Sequence, residues 1–564
     1  DESRNPTWSH KDRLNRCTVS AALGLDAPGV VVASSGNHGA SAAAFAARAG
    51  MTLDYLIIGA GPAGLQLAAL LERDGRDHLV LEAGPAPGTF FGRYPRHRQL
   101  ISINKVWTGS DDPEFNLRSD WNSLLTDDPA LLFRNFSRRY FPDADDMVRY
   151  LAAFAQGLRV RYDTRVTRIA RDGDLFTVEA GDDTLTARRV VVATGVSKLY
   201  VPPIEGVELA ERYDTVSVDP DDFTNQRVLI IGKGNSAFET ADALVETAAV
   251  IHVAGPHSIR LAWQTHYVGH LRAVNNNFLD TYQLKSQNAV LDGTVERIAR
   301  RDDGGYRIDF RYARTRESLR QIDYDRIILC TGFRFDADIF DPSARPRLVI
   351  NDRFPEQTSG FESVNVPGLF FAGTLTQQRD FKRSTNGFIH GFRYGVRALH
   401  RMLDARYHGT PWPATTVDAT PEAITDAIIA RINRTSALWQ QFTVLGDVVV
   451  IADGVARYHE EVPVAHLLDG GLGPEPFAVV TTLEYGPDHD QVDPFDITVP
   501  RIAENDAERA HDASYLHPVV RVHRGGQVVA THHLAENLEN NWDLPGVHQQ
   551  PLTLFLKGVL SDAG

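Results

Sequence analysis

Short aliphatic and β-branched runs alternate with longer helix-forming stretches from residue 53 to about residue 400. Strands that alternate with helices in this way form parallel sheets whose two faces are both covered. The pattern therefore predicts an α/β fold for most of the chain. The apolar runs lie at 55–58, 79–82, 189–193, 227–231, 249–254 and 326–330.

The two ends of the chain have a different pattern. Residues 1–50 hold one apolar run, a polar turn and an alanine-rich stretch, and a fresh strand follows Met51, so we treat 1–50 as a separate fragment. We expect 410–564 to form an appended α+β region. Its predicted elements are a helix at 421–432, strands at 448–451 and 478–484, and a hairpin of 519–523 and 527–532 turned at Gly525-Gly526.

The first strand of the α/β region runs into a glycine-rich turn, 59–64, which opens a predicted helix at 65–74. Such glycines permit a tight turn, close backbone approach to a diphosphate and close helix packing, while the helix N-terminus offers N–H groups to phosphates. A carboxylate at the end of the next strand can accept hydrogen bonds from ribose hydroxyls. The alternative is a tight turn that binds nothing. We expect nucleotide contacts from Gly59, Gly61, Pro62, Ala63, Gly64, Glu82 and Ala83.

A second turn of this kind spans 232–237, between a strand at 227–231 and a helix at 238–247. The next strand ends without an acidic residue and Arg260 follows, which favours NADPH over NADH because a 2′-phosphate is attracted by Arg and repelled by a carboxylate. Arg260 as a solvated surface charge is the alternative. The predicted contacts to a nicotinamide nucleotide are Gly232, Gly234, Asn235, Ser236 and Arg260.

Three further strands end in small or glycine-containing turns, 193–195, 330–332 and 372–374. A turn of this kind at the carboxyl edge of a sheet lets the backbone pass close to a cofactor. After the third turn, the polar segment 384–387 precedes a helix predicted through Arg397, whose start can direct N–H groups at the negative edge of a reduced flavin. The expected contacts are Thr194, Gly195, Thr331, Gly332, Gly373, Asn386, Phe90 and Val166.

Composition excludes several classes of function. The formal net charge of −15 disfavours nucleic acids and anionic membranes as partners, and no run of 18 apolar residues predicts a transmembrane helix. The start of the chain lacks a signal-peptide pattern, so the expected compartment is the cytoplasm. The two cysteines, Cys17 and Cys330, form no C-x-x-C pair, which excludes a self-contained dithiol reductase and a cysteine zinc site. No histidine pair has recognisable ligand spacing, and we predict no metal.

The order of these motifs resembles that of flavoproteins with two dinucleotide-binding domains, including flavin-containing monooxygenases. Longer stretches, at 91–98, 100–105, 115–118, 234–240, 265–269, 279–286, 483–486 and 515–518, look like the FAD-dependent oxidoreductase-domain proteins of animal ER-associated degradation and their bacterial relatives. The resemblance covers about 51–550. It implies FAD-binding segments at 51–200 and 336–409, an NAD(P)-binding domain inserted at 201–335, and the appended region at 410–564.

Two residues are candidate catalytic groups, Asn104 through this resemblance and His266 through its place in the sequence after the second turn. Asn104 matches the asparagine that monooxygenases place near flavin C4a, although it can equally cap a loop. His266, in the aromatic segment 263–270, can shuttle a proton near the flavin if that segment faces it, and a packed histidine is the alternative. The F-x-G-x-x-x-H-x-x-x-[YF] signature of monooxygenases is absent from the sequence.

Residues 1–50 resemble threonine synthase and other fold-type II PLP enzymes, on the stretches 5–13 and 34–39. Lys11 falls where such enzymes have their Schiff-base lysine, and Asn37 falls on their cofactor loop. The phosphate cup and second domain of these enzymes have no counterpart here, so we expect no PLP activity.

The motifs together predict an oxidoreductase in which NADPH passes a hydride to FAD and the flavin passes electrons on. The acceptor would be oxygen, another small molecule or a partner protein. Two alternatives remain: a flavoprotein with largely structural FAD whose region 410–564 binds a partner, and a PLP-dependent threonine-synthase-like fusion.

Overall fold

The computed structural model describes residues 52–283, 288–316, 318–473 and 477–561. The fragment predicted at 1–50, with Lys11 and Asn37, lies outside the described residues. The strands are β1 Thr52–Ile58, β2 His78–Leu81, β3 Val160–Arg161, β4 Val166–Asp172, β5 Leu175–Ala180, β6 Asp183–Val192, β7 Lys198–Leu199, β8 Glu211–Arg212, β9 Arg227–Ile231, β10 Val250–Gly255, β11 Ala289–Arg300, β12 Tyr306–Tyr312, β13 Leu319–Tyr324, β14 Arg326–Leu329, β15 Phe333–Arg334, β16 Leu348–Val349, β17 Phe354–Pro355, β18 Leu369–Phe371, β19 Thr415–Asp418, β20 Leu445–Ala452, β21 Val455–Pro463, β22 Ala478–Glu484, β23 His517–Arg524 and β24 Gln527–His533.

Helices connect most of the parallel strands and cover the sheets. The longest, at 389–408, ends where Gly409 adopts a left-handed conformation, φ 69°, that stops the helix. The helices are α1 Pro62–Arg73, α2 Thr89–Arg93, α3 Pro113–Asn116, α4 Ala144–Phe154, α5 Asn235–Leu244, α6 Ala262–Thr265, α7 Asn277–Gln283, α8 Ile389–His408, α9 Pro421–Arg434, α10 Ala437–Gln440, α11 Val464–Leu468 and α12 Gln550–Ser561.

The first sheet has seven strands in the order β3-β2-β1-β6-β5-β4, with β18 also paired to β6. The strands β3, β2, β1, β6 and β18 are parallel, and β4, β5 and β6 form an antiparallel meander. Residues Tyr55–Ile58 are buried in an unbroken run, as expected for a strand covered on both faces. The chain leaves the carboxyl end of β1 at the first glycine-rich turn.

The second sheet also has seven strands, in the order β13-β12-β11-β10-β9-β14-β8. The strands from β11 to β8 are parallel, whereas β11, β12 and β13 are antiparallel. The second glycine-rich turn follows β9 near the middle of this sheet. Each of these two mixed sheets thus has a set of parallel strands with one such turn at a strand's carboxyl end, and the predicted α/β class with two Rossmann-like units is confirmed.

The chain after residue 410 forms a six-stranded antiparallel sheet, β19-β21-β20-β22-β23-β24. Successive residues of β20 face opposite sides, so that Val448 joins the core around α1 and α8 while Val449 joins a second core. That second core contains apolar residues of α9 and α12, including Ile428 and Leu552. The appended sheet is therefore packed between its own helices and the core beneath α8.

Several predicted boundaries differ from the structure. The helix predicted at 65–74 is α1, which begins at Pro62 because proline fits the first helical turn, where its missing N–H is not needed. The helix expected through Arg397 extends to His408, and the strand predicted at 448–451 extends over β20. Helix ends carry weak local signals, whereas the existence of each element follows from a periodic pattern.

Candidate functional site

A cavity of about 410 Å³ lies where the carboxyl ends of the two parallel sheets face each other. It is lined by both glycine-rich turns, the start of α8 and the segment 90–102. Crevices outside the carboxyl ends of parallel strands are where α/β folds bind ligands. The predicted site residues that line it are Gly61, Pro62, Ala63, Phe90, Thr194, Gly195, Asn235, Ser236 and Gly373.

The three glycines of the first turn have different surroundings. Gly59 adopts φ 104°, and a Cβ on it would lie 2.9 Å from the carbonyl oxygen of Ala193. A Cβ on Gly64 would overlap the carbonyl oxygen of Gly59. A Cβ on Gly61, in contrast, would meet no protein atom within 4 Å. The protein therefore needs glycine at 59 and 64 for its own packing, and it leaves open space at 61, beside the N-terminus of α1, for a phosphate.

Glu82 fastens the first turn to the end of β2. Its Oε2 accepts the N–H of Ala60 over 2.8 Å, and its Oε1 accepts the N–H of Gly84 over 2.9 Å and the Thr89 hydroxyl over 3.1 Å. A carboxylate has about four acceptor positions, so one remains for a ribose hydroxyl. Glu82 thus orients the turn, and its hydrogen bond to a ribose stays a prediction.

The second turn has the same division of roles. Gly232 adopts φ 133°, and a Cβ there would overlap the carbonyl oxygen of Cys330. A Cβ on Gly234 would meet no protein atom within 4 Å. Lys233, between them, forms an ion pair with Asp292 and donates to the carbonyl of His257 over 3.1 Å. The open position at Gly234 lies at the N-cap of α5 and fits a second diphosphate.

Asn235 connects the second turn to the segment 269–275. Its Oδ1 accepts the backbone N–H of Arg272 over 3.0 Å and the amide of Asn275 over 3.2 Å, and its Nδ2 donates to the carbonyl of His270 over 2.8 Å. The predicted cofactor contact is therefore also the group that positions Arg272 in the cavity wall.

The closing part of the site is built by Gly373 and the start of α8. A Cβ on Gly373 would lie 2.6 Å from the Cβ of Ala63, so glycine is needed for β18 to end beside α1. Residues 387–390 line the cavity with the first backbone groups of α8. Asn386 does not line the cavity; its N–H donates to Asp380 over 3.0 Å, and its Oδ1 accepts the Gln441 amide over 2.6 Å.

Both candidate catalytic residues are outside the cavity lining. Asn104 is 2% exposed, and its Nδ2 donates to the carbonyls of Ser137 over 2.8 Å and Arg139 over 3.3 Å. The ring of His266 stacks on Tyr485 at 4.3 Å between centroids, and burial, with a smaller effect of His489, lowers the pKa of His266 to about 4. The geometry favours the loop-supporting and packed alternatives, and the catalytic roles stay predictions.

Other predicted contacts lie beside the cavity. Arg260 forms an ion pair with Asp490 of the appended region at 3.2 Å, and the Thr331 hydroxyl donates to the carbonyl of Tyr200 over 2.5 Å. Val166 packs in the core of the first sheet. The predicted residues outside the cavity lining are Gly59, Gly64, Glu82, Ala83, Asn104, Val166, Gly232, Gly234, Arg260, His266, Thr331, Gly332 and Asn386.

Several residues that the motifs do not predict line the cavity between the two turns. Tyr94 stacks on Tyr213 at 5.7 Å, and the Tyr213 hydroxyl donates to Glu239 over 3.0 Å. Burial raises the pKa of Glu239 to about 7. Glu239 follows Ser236 by three residues in α5, and this spacing on one helix face is a signal that could have identified it. The missed lining residues with aromatic or ionisable side chains are Phe91, Tyr94, Trp121, Tyr213, Glu239, Arg272, Phe333, Phe388, His390 and Phe392.

One group in the described part of the chain, Asp74, His400 and Asp404, has ligand atoms close enough together to hold a metal ion. Asp74 accepts a hydrogen bond from Arg73 over 2.8 Å, and Asp404 accepts one from Arg76 over 3.0 Å. The two carboxylates therefore already have cationic partners. Among the described helices, none has the length and apolar character needed to cross a bilayer.

Two family models and a solved structure are similar to parts of this chain. The family model described as pyridine nucleotide-disulphide oxidoreductase matches residues 56–373, and the model described as pyridoxal-phosphate dependent enzyme matches residues 1–58. A structure of a flavin-containing monooxygenase from Stenotrophomonas maltophilia is 22% identical and covers 63% of this chain and 99% of its own, with a TM-score of 0.49.

Two curated relatives are much closer in sequence. FAD-dependent oxidoreductase domain-containing protein 2 of Mus musculus is 40% identical over 566 residues, covering 90% of this chain and 84% of the relative. Its namesake in Danio rerio is 38% identical, covering 94% of this chain and 86% of the relative. The predicted resemblance is confirmed: the chain is an oxidoreductase that belongs to the pyridine nucleotide-disulphide oxidoreductase family, together with the FAD-dependent oxidoreductase domain-containing proteins.

Proposed function

We propose that the protein binds FAD at the turn 59–64 and NADPH at the turn 232–237, and that it oxidises NADPH through the cavity between them. The observation that carries this proposal is that both turns open into one cavity. Each turn keeps one glycine, Gly61 or Gly234, where an added Cβ would meet only open space. A bound flavin supplies hydride acceptance from the nicotinamide and onward electron transfer.

The residues of the chain contribute binding, orientation and exclusion of water. The N-termini of α1 and α5 would hold the two diphosphates, and the first residues of α8, which line the cavity, would contribute to holding the flavin. Phe90, Tyr94 and Phe333 form an aromatic cluster in the cavity wall, with the rings of Tyr94 and Phe333 at 5.2 Å between centroids. Hydride transfer needs close, oriented rings, and a cavity with such walls supports that geometry.

The preference for NADPH rests on charges near the carboxyl end of β10. No carboxylate ends this strand, and Arg260 lies just beyond it with its side chain 49% exposed. Arg260 is paired with Asp490, an exposed contact of small energy that a 2′-phosphate can replace. We therefore assign Arg260 to the 2′-phosphate.

The final acceptor is constrained by the cysteines. Cys330 is buried, and burial raises the pKa of its thiol to about 12, so it is not a nucleophile at neutral pH. The sequence contains no C-x-x-C pair. The acceptor we propose is oxygen, another small molecule, or a partner protein that contacts the flavin directly.

Anaerobic mixing of the flavin-loaded protein with NADPH tests the proposal. We expect bleaching of the flavin absorbance, followed by steady NADPH consumption once an acceptor is added. Gly234→Ala is the matched variant: its Cβ clashes with no protein atom, so it should retain FAD and fold but lose reduction by NADPH. A flavin that NADPH does not reduce would instead support the structural-flavin alternative.

A further inference from the structure

Arg272 is a partly buried cation in the cavity wall that forms no ion pair with a carboxylate of the described residues. Its Nη1 donates to the carbonyl of Ile101 over 2.8 Å, and its guanidinium carbon lies 5.2 Å from the centre of the Trp121 ring. Its neighbours thus supply one carbonyl and a ring face but no negative charge. A partly desolvated cation of this kind gains most from an anionic ligand.

The position of Arg272 is fixed from both sides of the cavity. Asn235, at the second turn, holds its backbone N–H, and Ile101 and Trp121, from the FAD-binding side, hold its guanidinium. The cation is therefore held by contacts from both dinucleotide-binding units, in the wall of the cavity that they share.

His390 provides a second, independent observation in the same wall. It is 1% exposed, lines the cavity, and has no hydrogen-bond partner on either ring nitrogen within the described protein. Its ring faces are covered by Trp121, at 4.2 Å between centroids, and by Phe388, at 5.8 Å. Both ring nitrogens are buried. Buried polar atoms are almost always paired, so these nitrogens require a partner that the described residues do not supply.

We propose that Arg272 and His390, held apart by Trp121, form a binding site for an organic electron acceptor that carries a carboxylate. Arg272 binds the carboxylate, and the edge of His390 hydrogen-bonds the same ligand. This proposal rests on the proposed function, because the ligand is an electron acceptor only if the flavin is reduced by NADPH. The diphosphate of the nicotinamide nucleotide is also an oxyanion that Arg272 could bind. The test therefore has to separate these two sources of negative charge.

Benzoate and benzamide are suitable probes, because they have the same shape and differ in charge. Each is titrated into the flavin-loaded protein, followed by flavin difference absorbance and by calorimetry. We expect benzoate to bind at least about tenfold more tightly than benzamide, since a charge-assisted bidentate pair exceeds a neutral hydrogen bond. Equal affinities, or no binding of benzoate, would overturn the proposal.

Variants assign the preference to residues. Arg272→Gln should weaken benzoate binding by about tenfold or more and leave benzamide binding unchanged. His390→Phe keeps a ring stacked between Trp121 and Phe388 and should weaken the binding of both probes by a smaller factor. Arg353→Gln is the matched control, because it removes another partly buried guanidinium that does not line the cavity. Persistence of the benzoate preference in Arg272→Gln contradicts the proposal.

Two parallel measurements separate the possible failures. If Arg272→Gln weakens the binding of ADP-ribose but not that of benzoate, Arg272 binds the nucleotide diphosphate, and the proposed acceptor site is wrong. NADPH oxidation is followed in the same preparations. A benzoate preference without NADPH oxidation contradicts the proposed function alone, whereas NADPH oxidation without that preference contradicts the acceptor site alone.

Discussion

The phenol of Tyr213 donates a hydrogen bond to the carboxylate of Glu239 over 3.0 Å, inside the cavity that joins the two dinucleotide turns. Glu239 also accepts the N–H of His97 over 3.2 Å. These contacts tie helix α5, behind the second turn, to the segment that lines the FAD-binding side. The carboxyl group is nevertheless buried enough that burial raises its pKa to about 7.

Glu239→Gln should stabilise the protein increasingly as pH rises. The folded protein holds the Glu239 proton more tightly than the unfolded chain, so wild-type stability is lost from about pH 4.5 to about pH 7. The amide pays no such penalty and should gain roughly 2 kcal/mol above pH 7, allowing for solvent in the cavity. The thermal midpoints of wild type and Glu239→Gln, measured across this pH range, give the difference. For the control Glu246→Gln, at an exposed site, the difference from wild type should not change with pH.

The two glycines of the first turn should separate cofactor binding from folding. Gly61→Ala places its Cβ in open space and should leave the thermal midpoint of the FAD-free protein unchanged, while FAD affinity falls by about tenfold or more. Gly64→Ala forces an overlap with the Gly59 carbonyl and should lower that midpoint by several degrees or prevent folding. Equal FAD affinity in Gly61→Ala and wild type would contradict binding of the FAD diphosphate at this turn.

Asp490 should compete with NADPH for Arg260. Asp490→Asn removes the 3.2 Å ion pair and frees the guanidinium, so kcat/KM for NADPH should rise by about two- to fivefold while that for NADH stays constant. Arg260→Gln should lower kcat/KM for NADPH by about tenfold and leave NADH unchanged. Steady-state kinetics with both nucleotides measure the ratio. Parallel changes for NADPH and NADH would show that Arg260 does not read the 2′-phosphate.

The parts of the site that the sequence predicts are those whose residues are neighbours along the chain. Gly59, Gly61 and Gly64 interact within one turn, and Glu82 follows at the end of the adjacent strand, so their spacing alone indicates their roles. The appended region was predicted in the same way, from alternating strands and a Gly-Gly hairpin turn.

The cavity wall around Trp121 could not be predicted from the spacing of residues along the sequence. Trp121, Arg272 and His390 are separated by more than a hundred residues each and meet only because Asn235 and α8 bring their segments together. The role of Asn104 was also open at the level of sequence: its amide donates to two backbone carbonyls in the structure, which favours the loop-capping alternative, and its place near a flavin stays a prediction. Buried backbone carbonyls need hydrogen-bond donors, and the Asn104 amide supplies one here.

His266 should act through packing on the appended region. His266→Phe keeps a flat ring against Tyr485 and should preserve the pH profile of NADPH oxidation, whereas His266→Ala should lower the thermal midpoint by a few degrees. Because burial lowers the pKa of His266 to about 4, wild type should lose stability relative to His266→Phe as pH falls from about 6.5 towards 4.

A double-mutant cycle completes this test. Tyr485 stacks on both His266 and His489, at 4.3 Å and 4.8 Å between centroids. The coupling between His266→Ala and Tyr485→Ala should be about 1 kcal/mol from thermal midpoints, with Tyr140→Ala, at an exposed aromatic site, as the uncoupled control. If His266→Phe instead lowers kcat about a hundredfold and shifts the pH profile, His266 carries a proton as the sequence predicts, and its contact with Tyr485 then serves to orient that proton carrier.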